Sequence, residues 1–321
     1  MSTVEEIADL DEPDIEVREI GAEHAADVLA LIRSTFSGRP VLDPPATALD
    51  ETLESVAAAL DTDGGLLATI HGHPVGALLF DEREHLLGLR RVGVVEEVRH
   101  HGVAPRLTAK ADEVAAARGL VGLRLEARAE LPVTVRFWQR QGYVEASREG
   151  PRLTMLRLFS QQVVLPRPED TQRYAERLGE QLRAGDLVIL TGDLGAGKTT
   201  FTQGLGRGLG VRGNVTSPTF VIARVHPSLG DGPPLVHVDA YRLGGAPELD
   251  DLDLDTDLDE AVTVVEWGSG LAETLAGSRL EVRLERAAVS TGLDQADART
   301  LTLTPVGPRW LAADRRGLLA H

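Results

Sequence analysis

Residues 192–199 read GDLGAGKT and fit the pattern G-x-x-x-x-G-K-[ST]. That spacing carries chemistry. Glycines at 192, 195 and 197 let backbone amides close on a phosphate without side-chain clash. A helix beginning there adds its positive end. Lys198 brings an ammonium to the outer phosphates, and Thr199 offers a hydroxyl to Mg²⁺. Of 33 basic residues only two are lysine, Lys110 and Lys198. Arginine serves elsewhere, while lysine stands where a compact point charge must reach between phosphates.

Hydrolysis needs carboxylates as well as a cradle. Asp239 follows the apolar run LVHV, and Glu266 follows VTVV. A carboxylate at the C-terminal end of a strand emerges at the edge of an open sheet, where ligands bind. For each, a solvated strand end is the plain alternative. A second phosphate signal lies far upstream. Residues 99–104, RHHGVA, match [QR]-x-x-G-x-[GA] between an apolar strand and an alanine-rich helix. Backbone amides there can receive a pyrophosphate at a helix N-terminus, with Pro105 tolerated in the first turn. His100 and His101 are loop residues in this reading, since no third metal ligand is evident.

These stretches need elements to hold them. IEVREI (15–20) alternates as a strand, and 22–36 places Ala25, Val28, Leu29, Ile32 and Phe36 on one helical face. Residues 38–50 read as a loop and 51–60 as a helix. Residues 65–80 form two strands about a turn near Gly72–Pro74, 85–95 a further strand, 103–118 a helix, and 121–127 a strand. A helix over 132–140 and two strands near YVEAS and RLTMLRLF complete an α/β unit by residue 160. QQVVLPRPED marks the boundary. The second unit opens with the strand VVL and a helix over 169–183, with Asp170 or Thr171 as its cap. The strand DLVILTG runs into the glycine loop. Strands VTSPTFVIARV, PLVHVDAYRL, AVTVVEWG, RLEVRLER and TLTLTPVG follow. The fold class is therefore α/β in two domains, 1–160 and 161–321, each with its own sheet.

Composition narrows the function classes. There are no cysteines, which excludes disulfides, thiolate zinc sites and cysteine nucleophiles. No run of 18 apolar residues is present, so no membrane span is expected. The acidic start MSTVEEIADLDEPD lacks an apolar signal core, and a cytoplasmic location is expected. The formal charge is −17, and acids exceed bases in both halves. Stand-alone nucleic-acid binding is not expected without a basic face. ELDDLDLDTDLDE (248–260) reads as a solvated loop or a docking surface for a basic partner, and 306–321 as a short helix packed through Trp310 and Leu311 or a frayed tail.

GDLGAGKTTF, VTSPTF (215–220), HVDAYRL (237–243) and VVEW (264–267), in this order, resemble the TsaE (YjeE) family of ATPases in tRNA threonylcarbamoyladenosine synthesis. The resemblance covers residues 161–305 and implies a P-loop NTPase-like sheet. It implies that Gly192, Asp193, Leu194, Gly195, Ala196, Gly197, Lys198, Thr199 and Thr200 bind ATP. By the same resemblance Thr216 would belong to a switch-like segment near the γ-phosphate, and Trp267 would flank the nucleotide. The resemblance further implies that Lys198 and Asp239 act in catalysis and that Thr199 and Glu266 hold Mg²⁺. The implied partner is the TsaB–TsaD complex, which modifies adenosine 37 of tRNA and reaches the tRNA itself. A P-loop alone also permits a small-molecule kinase, against which the HVDAYR and VVEW motifs argue.

RHHGVA, the late segment FWQRQGY (137–143) and the order of elements over 14–159 resemble the GNAT acyltransferases. This implies a mixed sheet with flanking helices and acetyl-CoA as cofactor. Val94 would pair with the pantetheine arm, and Arg99, His100, His101, Gly102, Val103 and Ala104 would hold the pyrophosphate. The chain departs from the pattern at Trp138, where many members carry a tyrosine that protonates the leaving thiolate. Glu96, Glu97 and Glu126 are the candidate bases. The acceptor is open, with a protein N-terminus as one reading and a non-catalytic CoA-binding or docking module as the other.

Overall fold

A computed structural model describes residues 13–40, 42–45, 47–218, 222–242, 258–286 and 298–311. The chain divides into two compact units, Met1–Arg157 and Leu158–His321. Among the described residues no helix is long and apolar enough to cross a membrane.

The first unit contains β1 (Ile15–Ile20), α1 (Ala25–Ser37), α2 (Leu53–Thr62), β2 (Gly65–Ile70), β3 (His73–Arg83), β4 (Leu86–Val94), α3 (Val103–Ala117), β5 (Gly122–Arg128), α4 (Pro132–Arg140), β6 (Val144–Glu149) and β7 (Arg152–Leu158). Its sheet runs β1-β2-β3-β4-β5-β7-β6. β4 and β5 are parallel, and their register covers only Leu86↔Gly122 to Leu89↔Leu125. A bulge between Ala77 and Leu79 of β3 faces the next stretch of β4, where Arg91 adopts a left-handed φ of 52°. The bulge twists β4 away from β5. Arg90–Val94 thus keeps β3 on one side, while its β5 pairing ends at Leu89. β2 is buried along its whole length, and β1, α1 and α2 close one core over it through Ile20, Val28, Ile32, Val56 and Leu67.

The second unit contains β8 (Gln161–Leu165), α5 (Pro168–Gly179), β9 (Leu187–Thr191), α6 (Lys198–Gly208), β10 (Ala223–His226), β11 (Leu235–Asp239), β12 (Val262–Glu266), β13 (Arg279–Arg286) and β14 (Arg299–Val306). The sheet order is β10-β11-β12-β9-β13-β14-β8. β11, β12, β9 and β13 are parallel neighbours. β11 and β12 are buried at every position, as expected for strands covered on both faces. α5 and α6 pack closely because Gly204 and Gly208 carry no Cβ. One built there would lie 2.4 Å from the Gln172 carbonyl oxygen and 2.0 Å from that of Glu176.

Three expectations change. The cap of α5 is neither Asp170 nor Thr171. The helix starts at Pro168, whose fixed φ suits the first turn, and Asp170 reaches back to accept from the Arg167 amide at 3.1 Å. α5 also ends at Gly179 rather than 183. The run VTSPTFVIARV is a strand only over Ala223–His226, since 214–218 are irregular around Pro218. Thr219, Phe220 and Val221, residues 248–257 of the acidic stretch and the tail 312–321 lie outside the described residues. Before that tail, Pro308–Trp310 form one 3-10 turn that buries Trp310.

Candidate functional site

β9 lies between β12 and β13, so its C-terminal end opens at the middle of the parallel sheet. The loop leaving it curls into α6. Gly192 has a φ of 140°, and a Cβ there would sit 2.2 Å from the Leu284 carbonyl oxygen on β13, so the first position of the cradle admits only glycine. Gly197, at φ 106°, caps α6. From β14, Arg299 Nε donates to the Ala196 carbonyl at 3.0 Å and braces the loop from outside. The 11-residue helix then aims its unpaired amides at the loop interior.

Lys198 is 5% exposed. Its Nζ donates to the carbonyls of Gly192 at 2.8 Å and Asp193 at 3.1 Å. The same atom lies 3.8 Å from the centre of the Trp267 ring, a cation–π contact. Burial pushes the ammonium's pKa down, against the pull of Glu266, Asp239 and Asp193. Trp267 follows β12 with a φ of 63°, a strained conformation for a bulky residue, and its amide donates to Leu190 at 2.9 Å. The Tyr241 ring lies 5.2 Å from that of Trp267.

The parallel register places Asp239 directly beside Glu266. Both are buried, at 5% and 3% exposure. Thr199 Oγ1 donates to Glu266 Oε1 at 3.3 Å. Asp239 accepts from the Tyr241 amide at 3.1 Å and from Ser217 Oγ at 3.4 Å. Lys198, Thr199, Asp239, Glu266 and Trp267 thus converge at one end of the sheet. Thr216 is engaged elsewhere, accepting from Arg224 at 2.7 Å. Asp193 and Leu194 are exposed and turn outward, where they line an open cleft of about 660 Å³ with Glu285, Arg286 and Thr300. That cleft lies on the β13–β14 side, across the loop from the carboxylates.

The N-terminal unit brings its expected residues together differently. Glu96–Val98 make a 3-10 turn, His100 has a φ of 77°, and Gly102 caps α3 at φ 84°. The segment from Arg99 to Ala104 therefore wraps the N-terminus of α3 beyond the splayed end of β4, where Val94 lies. Glu96, Glu97 and Glu126 are solvated, Glu126 lying 3.7 Å from Arg152. Trp138 is 5% exposed and meets Phe137 and Tyr143 edge-on at 5.0 and 5.2 Å. It serves as core. Burial pushes the Tyr143 phenol up to about 12, so it stays protonated.

Sequence reasoning missed Glu51. Its side chain is 10% exposed and accepts from Arg91 Nε at 2.8 Å and Ser55 Oγ at 2.5 Å. Burial opposes its ionisation, but these donors and the arginine charges hold its carboxyl below the usual range. Arg91 also donates to Thr47, and Arg128 donates to the carbonyls of Asp43 and Pro44 at 2.9 and 2.8 Å. The loop before α2 is thereby stitched to both β4 and β5, an arrangement with no local sequence signal. His237 was also missed. It lies two residues before Asp239 on β11, hence on the same strand face.

A glycine cradle, a buried lysine and paired carboxylates at the ends of parallel strands define a P-loop nucleotide-binding unit, which follows in the chain a unit built on a splayed mixed sheet. The profile described as "Threonylcarbamoyl adenosine biosynthesis protein TsaE" matches residues 165–293, and that of "Acetyltransferase (GNAT) family" matches 27–143. A Streptomyces coelicolor protein named tRNA threonylcarbamoyladenosine biosynthesis protein TsaE is 64% identical over 139 residues, 43% of this chain and 92% of that protein. The Bacillus subtilis protein of the same name is 40% identical over 145 residues, 44% of this chain and 84% of its own. Among solved structures, Bacillus subtilis YdiB is 33% identical with a TM-score of 0.39, over 50% of this chain and 94% of that one. The PaiA N-acetyltransferase of Thermoplasma acidophilum, solved with coenzyme A, is 16% identical with a TM-score of 0.41, over 46% and 99%. The chain belongs to the TsaE family, an enzyme family of ATPases, and carries a GNAT acetyltransferase domain in front of it.

Proposed function

We propose that residues 161–321 bind and hydrolyse ATP in support of tRNA threonylcarbamoylation with the TsaB–TsaD complex, and that residues 1–160 bind acetyl-CoA. The observation that carries the ATPase reading is the convergence of Lys198, Thr199, Asp239 and Glu266 at one end of β9, β11 and β12. Gly192 tolerates no Cβ because β13 lies against it, and the left-handed Gly195 and Gly197 that follow let the loop turn its backbone amides toward a phosphate. Lys198 exchanges its two loop carbonyls for phosphate oxygens. The cleft beside Leu194 and Arg286 is large enough for a base and ribose, while Trp267 covers the opposite, γ-phosphate end. Thr199 and Glu266 form an all-oxygen donor set of the kind Mg²⁺ prefers. When bound there, Mg²⁺ supplies charge neutralisation on the β- and γ-phosphate oxygens. Asp239, held by the Tyr241 amide, orients the attacking water as the catalytic carboxylate. Thr216 and Ser217 belong to a segment that reaches the γ-phosphate, and Ser217 already touches Asp239.

The test is phosphate release from ATP with Mg²⁺, with and without TsaB–TsaD and tRNA, for wild type and Asp239→Ala. Stimulation by the complex that the variant loses is the expected result. Transfer of phosphate to a small molecule instead of release would sink the ATPase reading. The reaction is set in the cytoplasm, with the tRNA held by the partner complex, a reading that fits the chain's formal charge of −17.

For the first unit, the open edge of β4 near Val94 and the amides at the start of α3 support acetyl-CoA binding, with Arg99–Ala104 on the pyrophosphate. Acetyl transfer to an amine, such as a protein N-terminus, follows if a solvated base suffices. A second reading, acyl-CoA binding without transfer, is favoured by the burial of Trp138. Acetyl-CoA raising the melting temperature supports both. Acetylation of peptide N-termini in a mass-spectrometric screen separates them.

A further inference from the structure

His237 is 0% exposed, in the middle of β11 beside β12. Its Nε2 lies 2.9 Å from Glu266 Oε1. The parallel register pairs His237 with Val264 and Asp239 with Glu266, so the imidazole reaches diagonally along one face to the carboxylate. A carboxylate only accepts, so Nε2 carries the hydrogen. His237 Nδ1 meets no hydrogen-bond partner among the described residues, although it is buried. A buried polar atom left unmatched costs stability that a leucine would avoid. The bond to Glu266 is what the imidazole supplies in return.

Both donors to Glu266 use the same oxygen. Thr199 Oγ1 and His237 Nε2 each bond to Oε1, and among the described residues no hydrogen bond reaches Oε2. Resting on the nucleotide-site reading above, we propose that His237 is a positioning residue: it pins one oxygen of Glu266 and leaves the other open to the cation that Thr199 and Glu266 hold. The threonine hydroxyl is itself a prospective ligand, so the imidazole is the donor to Glu266 that plays no part in binding the cation. Buried second partners of this kind fix the orientation of a ligating group.

The experiment is Mg²⁺ titration of fluorescent ATP-analogue binding by the full chain, with an EDTA arm, for wild type, His237→Leu, His237→Gln and His237→Asn. Glutamine places its amide near the Nε2 position, and asparagine does not. The expected result is an apparent Mg²⁺ affinity about tenfold or more weaker in H237L and H237N, recovery in H237Q, and unchanged analogue binding in EDTA. Wild-type Mg²⁺ affinity in H237L, or an H237Q as defective as H237N, would overturn the proposal. So would an equal loss in EDTA, which is the signature of general damage. If H237L does not fold, the Gln–Asn pair decides alone. Wild-type binding indifferent to Mg²⁺ would overturn the metal assignment of Thr199 and Glu266 instead, and is seen before any variant is compared.

Discussion

In the sites proposed above, the two units would approach a phosphate differently, although both use backbone amides at the start of a helix. In the C-terminal unit the chemistry sits on buried side chains. Lys198, Asp239 and Glu266 are each 5% exposed or less and are brought together by parallel register. In the N-terminal unit the proposed site is backbone alone: a strand edge whose β5 pairing ends at Leu89 and the first turn of a helix behind Gly102. The carboxylates there that sequence singles out, Glu96, Glu97 and Glu126, are solvated. A site of buried charges depends on each residue's identity, because any one removed leaves its partners unpaired. A site of amides depends on conformation and tolerates side-chain change.

That contrast can be broken at several points. The largest expected effect is at Lys198. Lys198→Ala lowers ATP affinity by about 100-fold or more, as the loss of a desolvated charged contact requires, while acetyl-CoA stabilisation of the other unit is unchanged. Isothermal titration with each ligand checks both halves of that statement. An N-terminal variant of similar position, Arg99→Ala, weakens acetyl-CoA binding by no more than about tenfold if amides carry the site. A loss as large as that at Lys198 would erase the distinction.

Trp138→Ala comes next. Removing a side chain packed edge-on between Phe137 and Tyr143 destabilises the first unit by about 3–5 kcal/mol, read by thermal melting. A small loss with gain of acetyl transfer would mean that Trp138 blocks a site rather than fills a core.

The two loop glycines then separate the cradles. Gly192→Ala drives a Cβ toward the Leu284 carbonyl at 2.2 Å and costs about 2–4 kcal/mol. Gly102→Ala has nothing within 4 Å and bears only the left-handed penalty, about 1 kcal/mol. Chemical denaturation of both variants tests the ranking, and equal losses would contradict it.

The smallest effect is at Glu51. Its folded pKa lies below the unfolded value of 4.5, so its contribution is present above pH 4.5 and is lost as pH falls through the folded value. Glu51→Gln lowers stability by about 1 kcal/mol at pH 7, and the gap to wild type closes in acid. A gap that does not narrow as the pH is lowered from 7 into acid would show that the bond geometry to Arg91, not the charge, is what matters.

Legibility followed the same division. Lys198, Thr199, Asp239 and Glu266 could be read from spacing and from the ends of apolar runs, because each belongs to a local pattern. His237 was legible in principle, since strand periodicity puts it on the face of Asp239, but nothing local names its partner 29 residues away. Glu51 was not, because the Arg91 that holds it arrives from β4, 40 residues on. Arg299 reaches the cradle from 103 residues away.

The sequence by itself determined the order of elements, the glycine cradle, the absence of cysteine chemistry and the two families the halves resemble. These rest on local rules: side-chain period, the φ that glycine permits, and composition. Only the tertiary structure decided that Thr199 and His237 share one oxygen of Glu266, that Trp138 is core, and that Lys198 lies under Trp267. Register between strands far apart in sequence sets those contacts, and register is settled by packing the whole sheet at once.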